Sequence, residues 1–154
     1  MGTMTFDRDL LYLVSDAARL TRLRFDQAAR CHGMTRAQWL ILARVEMHPG
    51  LSQNELAAML EVEPITVARL VDRLEVRGMI ERRPDPSDRR IRRLHLLPPA
   101  LPALQVITKF RNAINEELKM VLDDNTRECV IDALLKIKEY LATSAPGSIK
   151  LAAG

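Results

Sequence analysis

The sequence predicts a mainly α-helical protein with one small β-hairpin, and three observations between Ser52 and Leu97 predict it. The first is a short helix opened by Ser52-Gln53-Asn54-Glu55, whose S-x-x-E spacing lets hydroxyl and carboxylate each satisfy an orphan amide. Leu56 and Leu60 give it an apolar stripe, and Ala57 and Ala58 permit close helix contact. The second is a helix over about 64–77, bracketed by Pro64 at its start and Gly78 just past its end. Its Val67, Leu70, Val71 and Leu74 keep one buried face, while Thr66, Arg69 and Arg73 share another face open to a partner. The third is a hairpin with strands at Met79–Arg83 and Ile91–Leu97, where Leu94 and Leu96 alternate with Arg93 and His95. Pro84-Asp85-Pro86-Ser87-Asp88 supplies its loop. Two helices joined by a tight turn around Val62, expected to be buried, and followed by a basic hairpin describe a winged helix-turn-helix.

The remaining elements flank that unit. A long helix is expected from about Asp7 to Arg30, ended by Cys31-His32-Gly33. Leu10, Leu13, Val14, Ala17, Leu20 and Ala28 form one apolar stripe on it, and Leu11, Ala18, Leu23 and Phe25 add a second. A helix apolar on two sides in a small protein suggests a subunit interface. Thr35-Arg36-Ala37-Gln38 caps a helix through Met47, whose Trp39 is expected to pack in the core. After Pro98-Pro99 a helix is expected through about Leu122, with Leu104, Ile107, Phe110, Ile114, Leu118 and Val121 as its stripe. Asn125-Thr126-Arg127-Glu128 is expected to cap a last helix through Leu141. Residues 1–5 and the Ala/Gly/Ser-rich tail 144–154 are expected to be flexible.

These last two helices have no sheet to cover, so their stripes bury against the first helix or against another chain. The expected organisation is a helical dimerisation region, residues 7–34 and 98–143, around a DNA-binding winged helix-turn-helix at 35–97. A homodimer matches protein symmetry to the two half-sites of a palindromic operator.

Composition bounds the function. The chain has 154 residues, 47% of them apolar and 4% aromatic, which suits an aliphatic helical core. The net charge is only +3, but Arg82 to Arg93 holds six arginines against two aspartates, a local basic strip of the kind that meets phosphates. Cys31 and Cys129 lie far apart without CxxC spacing, and the three histidines are scattered, so no metal site or cofactor is expected. No nucleophile elbow, P-loop or Gly-rich dinucleotide turn occurs, and no catalytic residue is expected. With no apolar run of membrane-spanning length, the expectation is a soluble cytoplasmic protein without a membrane partner.

As a binder of double-stranded DNA, the roles separate. Arg89, Arg90, Arg92 and Arg93 neutralise phosphates or enter the minor groove. Thr66, Arg69 and Arg73 meet base edges or phosphates, and Pro64 and Ile65 touch thymine methyls. For Arg73 an ion pair with Asp72, Glu75 or Glu81 is the alternative.

The run Leu56-Ala57, Thr66-Val67-Ala68-Arg69-Leu70-Val71-Asp72-Arg73-Leu74-Glu75, Gly78-Met79-Ile80-Glu81-Arg82 and Asp88-Arg89-Arg90 resembles the MarR family of bacterial transcriptional regulators. The Glu-Pro opening of the second helix and Trp39 look most like its SlyA-like branch. The resemblance spans roughly Leu10 to Leu141, and Glu61 departs from it where a glycine is common. It implies a homodimeric regulator, a repressor more than an activator, in which Asp88 braces an arginine while Arg90 points to the minor groove. It also implies release from DNA by a small aromatic or phenolic acid, with Arg19, Arg22, Trp39 and Arg69 as candidate ligand residues. Two alternatives stand beside this: an architectural winged helix that binds DNA without sequence preference, and a redox-responsive regulator acting through Cys31, here expected to be inert.

Overall fold

A computed structural model describes residues 6–143, so the stretches expected to be flexible at both ends lie outside the described residues. A 3-10 turn at Phe6–Arg8 leads into α1 (Leu10–Cys31), followed by α2 (Arg36–Met47), α3 (Gln53–Leu60) and α4 (Pro64–Val76). The hairpin strands β1 (Ile80–Pro84) and β2 (Arg92–Leu96) come next, then a 3-10 turn at Pro98–Ala100, α5 (Leu101–Leu118) and α6 (Asp124–Thr143).

Both predicted capping boxes form. The Gln38 amide donates to Thr35 Oγ1 at 3.2 Å and the Thr35 amide to Gln38 Oε1 at 2.9 Å. At α3 the Glu55 amide donates to Ser52 Oγ at 3.2 Å and the Ser52 amide to Glu55 Oε2 at 2.7 Å. Asp9 caps α1 by accepting the Tyr12 amide at 2.8 Å. Gly33, at φ 65°, lets the Met34 amide reach back to the Ala29 carbonyl and close that helix.

Three local expectations are corrected. The helix after the hairpin ends at Leu118 rather than Leu122, because a tight turn takes over, with the Val121 and Leu122 amides both on the Leu118 carbonyl. The last helix is capped by Asp123, not Asn125: Asp123 accepts the Thr126 amide at 2.9 Å and its hydroxyl at 2.7 Å. A carboxylate that takes both donors outcompetes a side-chain amide two residues later. Val62 is 38% exposed rather than buried. The preceding Glu61 is left-handed at φ 53°, and the chain turns outward there.

The chain divides into two compact units, one ending at Phe110 and the other beginning at Arg111. The first holds the core: Ile41, Leu42, Leu56, Val67, Val71, Leu74, Ile80 and Leu94 are all fully buried, each contributing about 1.5–3 kcal/mol by removing its side chain from water. The hairpin pairs antiparallel, Ile80 opposite Leu96 and Pro84 opposite Arg92. A bridge from Ser52 to Arg93, with the Leu94 amide on the Leu51 carbonyl at 2.9 Å, fastens it to the start of α3. Because α4 is buried along Val67, Val71 and Leu74, its opposite face is held outward. In the second unit α6 has no buried residue, and Val130, Leu134, Leu135, Tyr140 and Leu141 are exposed.

Glu61 occupies a conformation that costs a residue with a Cβ about 1–2 kcal/mol. Glu61→Gly is therefore expected to raise unfolding free energy by about 0.5–1 kcal/mol, the backbone entropy of glycine offsetting the rest. Urea denaturation reads this; an unchanged or lower midpoint with the same slope would refute it.

Candidate nucleic-acid interface

The outward face of α4 carries the residues that the sequence singled out. Pro64, Thr66, Arg69 and Arg73 are exposed, and Ile65 is 60% exposed. Among the described residues neither the Arg69 nor the Arg73 guanidinium has an acidic partner. The carboxylates that the sequence offered to Arg73 are engaged elsewhere. Asp72 and Glu75 both bind Arg82, Asp72 Oδ1 at 2.6 Å from Nη2, and Glu81 binds Arg83.

Arg82 is the residue that sequence reasoning missed. It sits on β1, and its guanidinium also donates to the Ala68 carbonyl at 3.2 Å and to Gln53 Oε1 at 3.0 Å. One side chain thus ties the hairpin to α4 and α3. The available signal was the i, i+3 pair of acids on α4, Asp72 and Glu75, which no residue of that helix neutralises.

The hairpin loop is built around Asp85, the only buried carboxylate among the described residues. Its Oδ1 accepts the Ser87 amide at 2.7 Å, the Ser87 hydroxyl at 2.5 Å and the Asp88 amide at 3.1 Å. Its Oδ2 accepts Arg93 Nε at 2.6 Å. The Ser87 hydroxyl, then Arg93 and the loop amides, hold this carboxyl well below the usual carboxylate range. Arg93 donates in addition to the Gly50 carbonyl at 3.1 Å and approaches Glu55 at 3.4 Å. The aspartate that braces an arginine side chain is therefore Asp85; Asp88 instead accepts the backbone amide of Arg90 at 2.9 Å. Of the six arginines in the strip, Arg82, Arg83 and Arg93 are paired internally. Arg89, Arg90 and Arg92 are exposed without an acidic partner among the described residues.

Trp39 is 2% exposed and packs against Phe25, His32 and Phe110, at ring-centroid distances of 6.5, 6.1 and 6.2 Å. Its Nε1–H is buried with no hydrogen-bond partner among the described residues, unusual for an indole in a core. Trp39 also walls a cleft of about 210 Å³ with His32, Met34, Arg77, Met79, Pro99, Pro102, Ala103 and Val106. Arg19, Arg22 and Arg69 are not in its walls; Arg19 pairs with Asp16 at 2.6 Å. Cys31 and Cys129 are both exposed thiols. Among the described residues no cluster of three metal-ligating side chains occurs, and no helix is long and apolar enough to cross a membrane.

A helix pair whose second member presents a polar face beside a basic hairpin defines a winged helix-turn-helix protein. Residues 32–91 match the MarR family. The crystal structure of MarR superposes with a TM-score of 0.78 at 28% identity, covering 92% of this chain and 96% of that one. That of the transcriptional regulator SlyA gives 0.75 at 26%, covering 86% and 94%. A Thauera aromatica protein named for a regulatory role at the hcr operon is 31% identical over 105 residues, 68% of this chain. The match spans 63% of that relative, less than two thirds of its length. Residues 32–91 carry the winged helix-turn-helix of the MarR family, and the chain resembles that family's transcriptional regulators over most of its length. Similarity to SlyA does not exceed similarity to MarR, so the two likenesses do not single out a branch.

Because the Asp85 carboxyl titrates below its ordinary value of 3.8, its stabilisation is present above that value and is lost as pH falls toward the lower native one. Asp85→Asn is expected to unfold at lower urea than wild type at pH 7, and the gap is expected to narrow by pH 3. A gap of equal size at both pH values would show that the charge of Asp85 does not hold the wing.

Proposed function

We propose that this protein is a sequence-specific DNA-binding transcriptional regulator, acting as a homodimeric repressor on a palindromic operator and released by a small aromatic or phenolic acid. The observation that carries the DNA-binding reading is the separation of arginines. Those that build the wing are paired inside the protein, whereas Arg69, Arg73, Arg89, Arg90 and Arg92 are exposed and have no acidic partner among the described residues. Unpaired guanidiniums on one helix face and one hairpin suit major-groove bases and flanking phosphates respectively. Pro64, Ile65 and Thr66 enter with the start of α4, and Asp88 and Arg93 shape the wing rather than touch DNA.

Dimerisation is supported by apolar surface that a lone chain leaves in water. Leu10, Leu11, Leu13, Leu20 and Leu23 of α1 are 47–71% exposed, and Leu134, Leu135 and Leu141 of α6 are 44–61% exposed. A second copy of the chain covers them in this reading.

The effector reading rests on the Trp39 cleft. Its buried indole N–H lacks an acceptor, and Arg77 and His32 stand in the same walls, a setting for a flat acid with an acceptor group. Arg77 and Met79 flank Gly78, the left-handed joint between α4 and β1. A ligand here shifts the angle between recognition helix and wing and so loosens DNA.

Arg69→Ala and Arg73→Ala are each expected to cost about 1–3 kcal/mol on the duplex flanking the protein's own gene, with a smaller loss on random duplex. Fluorescence anisotropy measures both, and equal losses on the two would remove these arginines from base reading. Sedimentation equilibrium is expected to give twice the 17.5 kDa chain mass. A monomer at micromolar concentration would overturn the dimer. Salicylate is expected to quench Trp39 fluorescence and release DNA, both effects weakened by Arg77→Ala; quenching that survives this change unaltered would place the acid elsewhere.

A further inference from the structure

We propose that Arg82 is a positioning residue for DNA binding: it neutralises Asp72, an acid on the reading face of α4, and so keeps the Arg69 guanidinium free. The assignment rests on the DNA-binding reading above and adds an electrostatic duty to the mechanical tie between hairpin and helices.

Helical spacing puts this acid where it does harm. Ile65, Arg69 and Asp72 stand at i, i+4 and i+7, one stripe on the side of α4 away from the buried Val67, Val71 and Leu74. The Asp72 side chain is 60% exposed. Of the residues three or four places from Arg69, only Asp72 is acidic, and none of those around Arg73 is. A bare carboxylate here has two effects on a nucleic-acid partner. It repels the phosphates that the neighbouring arginines attract, and it draws Arg69 into an i, i+3 pair on the protein's own surface. A guanidinium so paired presents fewer donors to a base edge or a phosphate.

Arg82 removes both effects. Its Nη2 lies 2.6 Å from Asp72 Oδ1 and also donates to the Ala68 carbonyl at 3.2 Å, so Asp72 is met from the hairpin rather than along its own helix. Glu75, the other acid, holds the fork in place twice: Oε2 accepts Nη1, and Oε1 accepts the Arg82 backbone amide at 3.3 Å. Nε donates to Gln53 Oε1 at 3.0 Å. With each of its three nitrogens already donating inside the protein, the Arg82 guanidinium offers DNA little directly; its charge acts through Asp72. The two acids therefore differ in duty. Glu75 orients the arginine, and Asp72 is what the arginine neutralises. Arg69 is left without an acidic partner among the described residues.

The test compares Arg82→Gln, Arg82→Gln with Asp72→Asn, and Arg82→Gln with Glu75→Gln in the full chain. Anisotropy on the own-gene duplex and on random duplex is followed across a salt series, with circular dichroism as the check on folding. Arg82→Gln is expected to weaken own-gene binding about tenfold near 0.1 M salt and to lower the log–log salt slope by about one. Adding Asp72→Asn is expected to bring affinity back to within about threefold of wild type, a coupling between the two sites. Adding Glu75→Gln removes the same charge from a position that does not face Arg69 and is expected to restore nothing. A clamp with only a structural role does not give that contrast. A loss that neither second change restores would reassign Arg82 to holding the hairpin and overturn the proposal. Equal restoration by both would reduce the effect to net charge, and wild-type affinity in Arg82→Gln would leave nothing to explain; either overturns it. Where Arg82→Gln does not fold, Arg82→Lys takes its place, because one ammonium cannot fork onto both acids, and the same two second changes are read. A wild-type protein that binds neither duplex would overturn the regulator reading itself and this role with it.

Discussion

The guanidinium of Arg82 holds the two halves of the interface together. It leaves β1 and reaches Asp72 and Glu75 on α4, the Ala68 carbonyl one turn earlier, and Gln53 on α3. Single ion pairs at a protein surface contribute little, because water competes for both partners. Here the arginine side chain is only 19% exposed and satisfies four acceptors from a planar fork, so moving the hairpin breaks several bonds together. The hairpin takes its position against α3 and α4 from that clamp, from the Ser52–Arg93 bridge and from the apolar seam beneath them.

The same clamp explains which part of the interface was legible in the sequence. Helix starts and stops depend on neighbours three or four residues apart, so Thr35-to-Gln38, Ser52-to-Glu55, Pro64 and Gly78 announced α2, α3 and α4. The buried stripe of α4 followed from spacing alone. The division of the arginine strip did not. Arg82 and Arg89 read alike in sequence, and only the pairing of β1 with β2, which brings Arg82 back over α4, separates a structural arginine from a free one. Asp85 was legible only as a turn residue: its bonds to Ser87 and Asp88 are local, but Arg93, which it also holds, is eight residues away across a loop. The Asp123 cap shows a subtler failure: three adjacent residues, Asp123, Asp124 and Asn125, are all good caps, and spacing cannot rank them.

Trp39 shows where packing and binding meet. The sequence reads it as core packing, which the structure shows, while the family resemblance adds the wall of a ligand pocket. Its ring is buried in an aromatic cluster with Phe25 and Phe110, yet its edge lines a cleft whose far wall is the joint of α4 with β1. A residue that belongs to both has little freedom to change size, because close-packed interiors respond to volume changes by shifting whole elements.

The closure of the wing at its base has a consequence for how such a protein changes over time. The Asp85 amide donates to the Ile91 carbonyl at 3.0 Å and the Asp85 carboxylate holds Arg93, so residues 86–90 form a loop pinned at its root. Within that root, the Ser87 and Asp88 amides fix Asp85, while the side chains of Arg89 and Arg90 project beyond it. The charge of the exposed tip residues Arg89 and Arg90 is thereby free to drift without disturbing the helices that keep the protein folded.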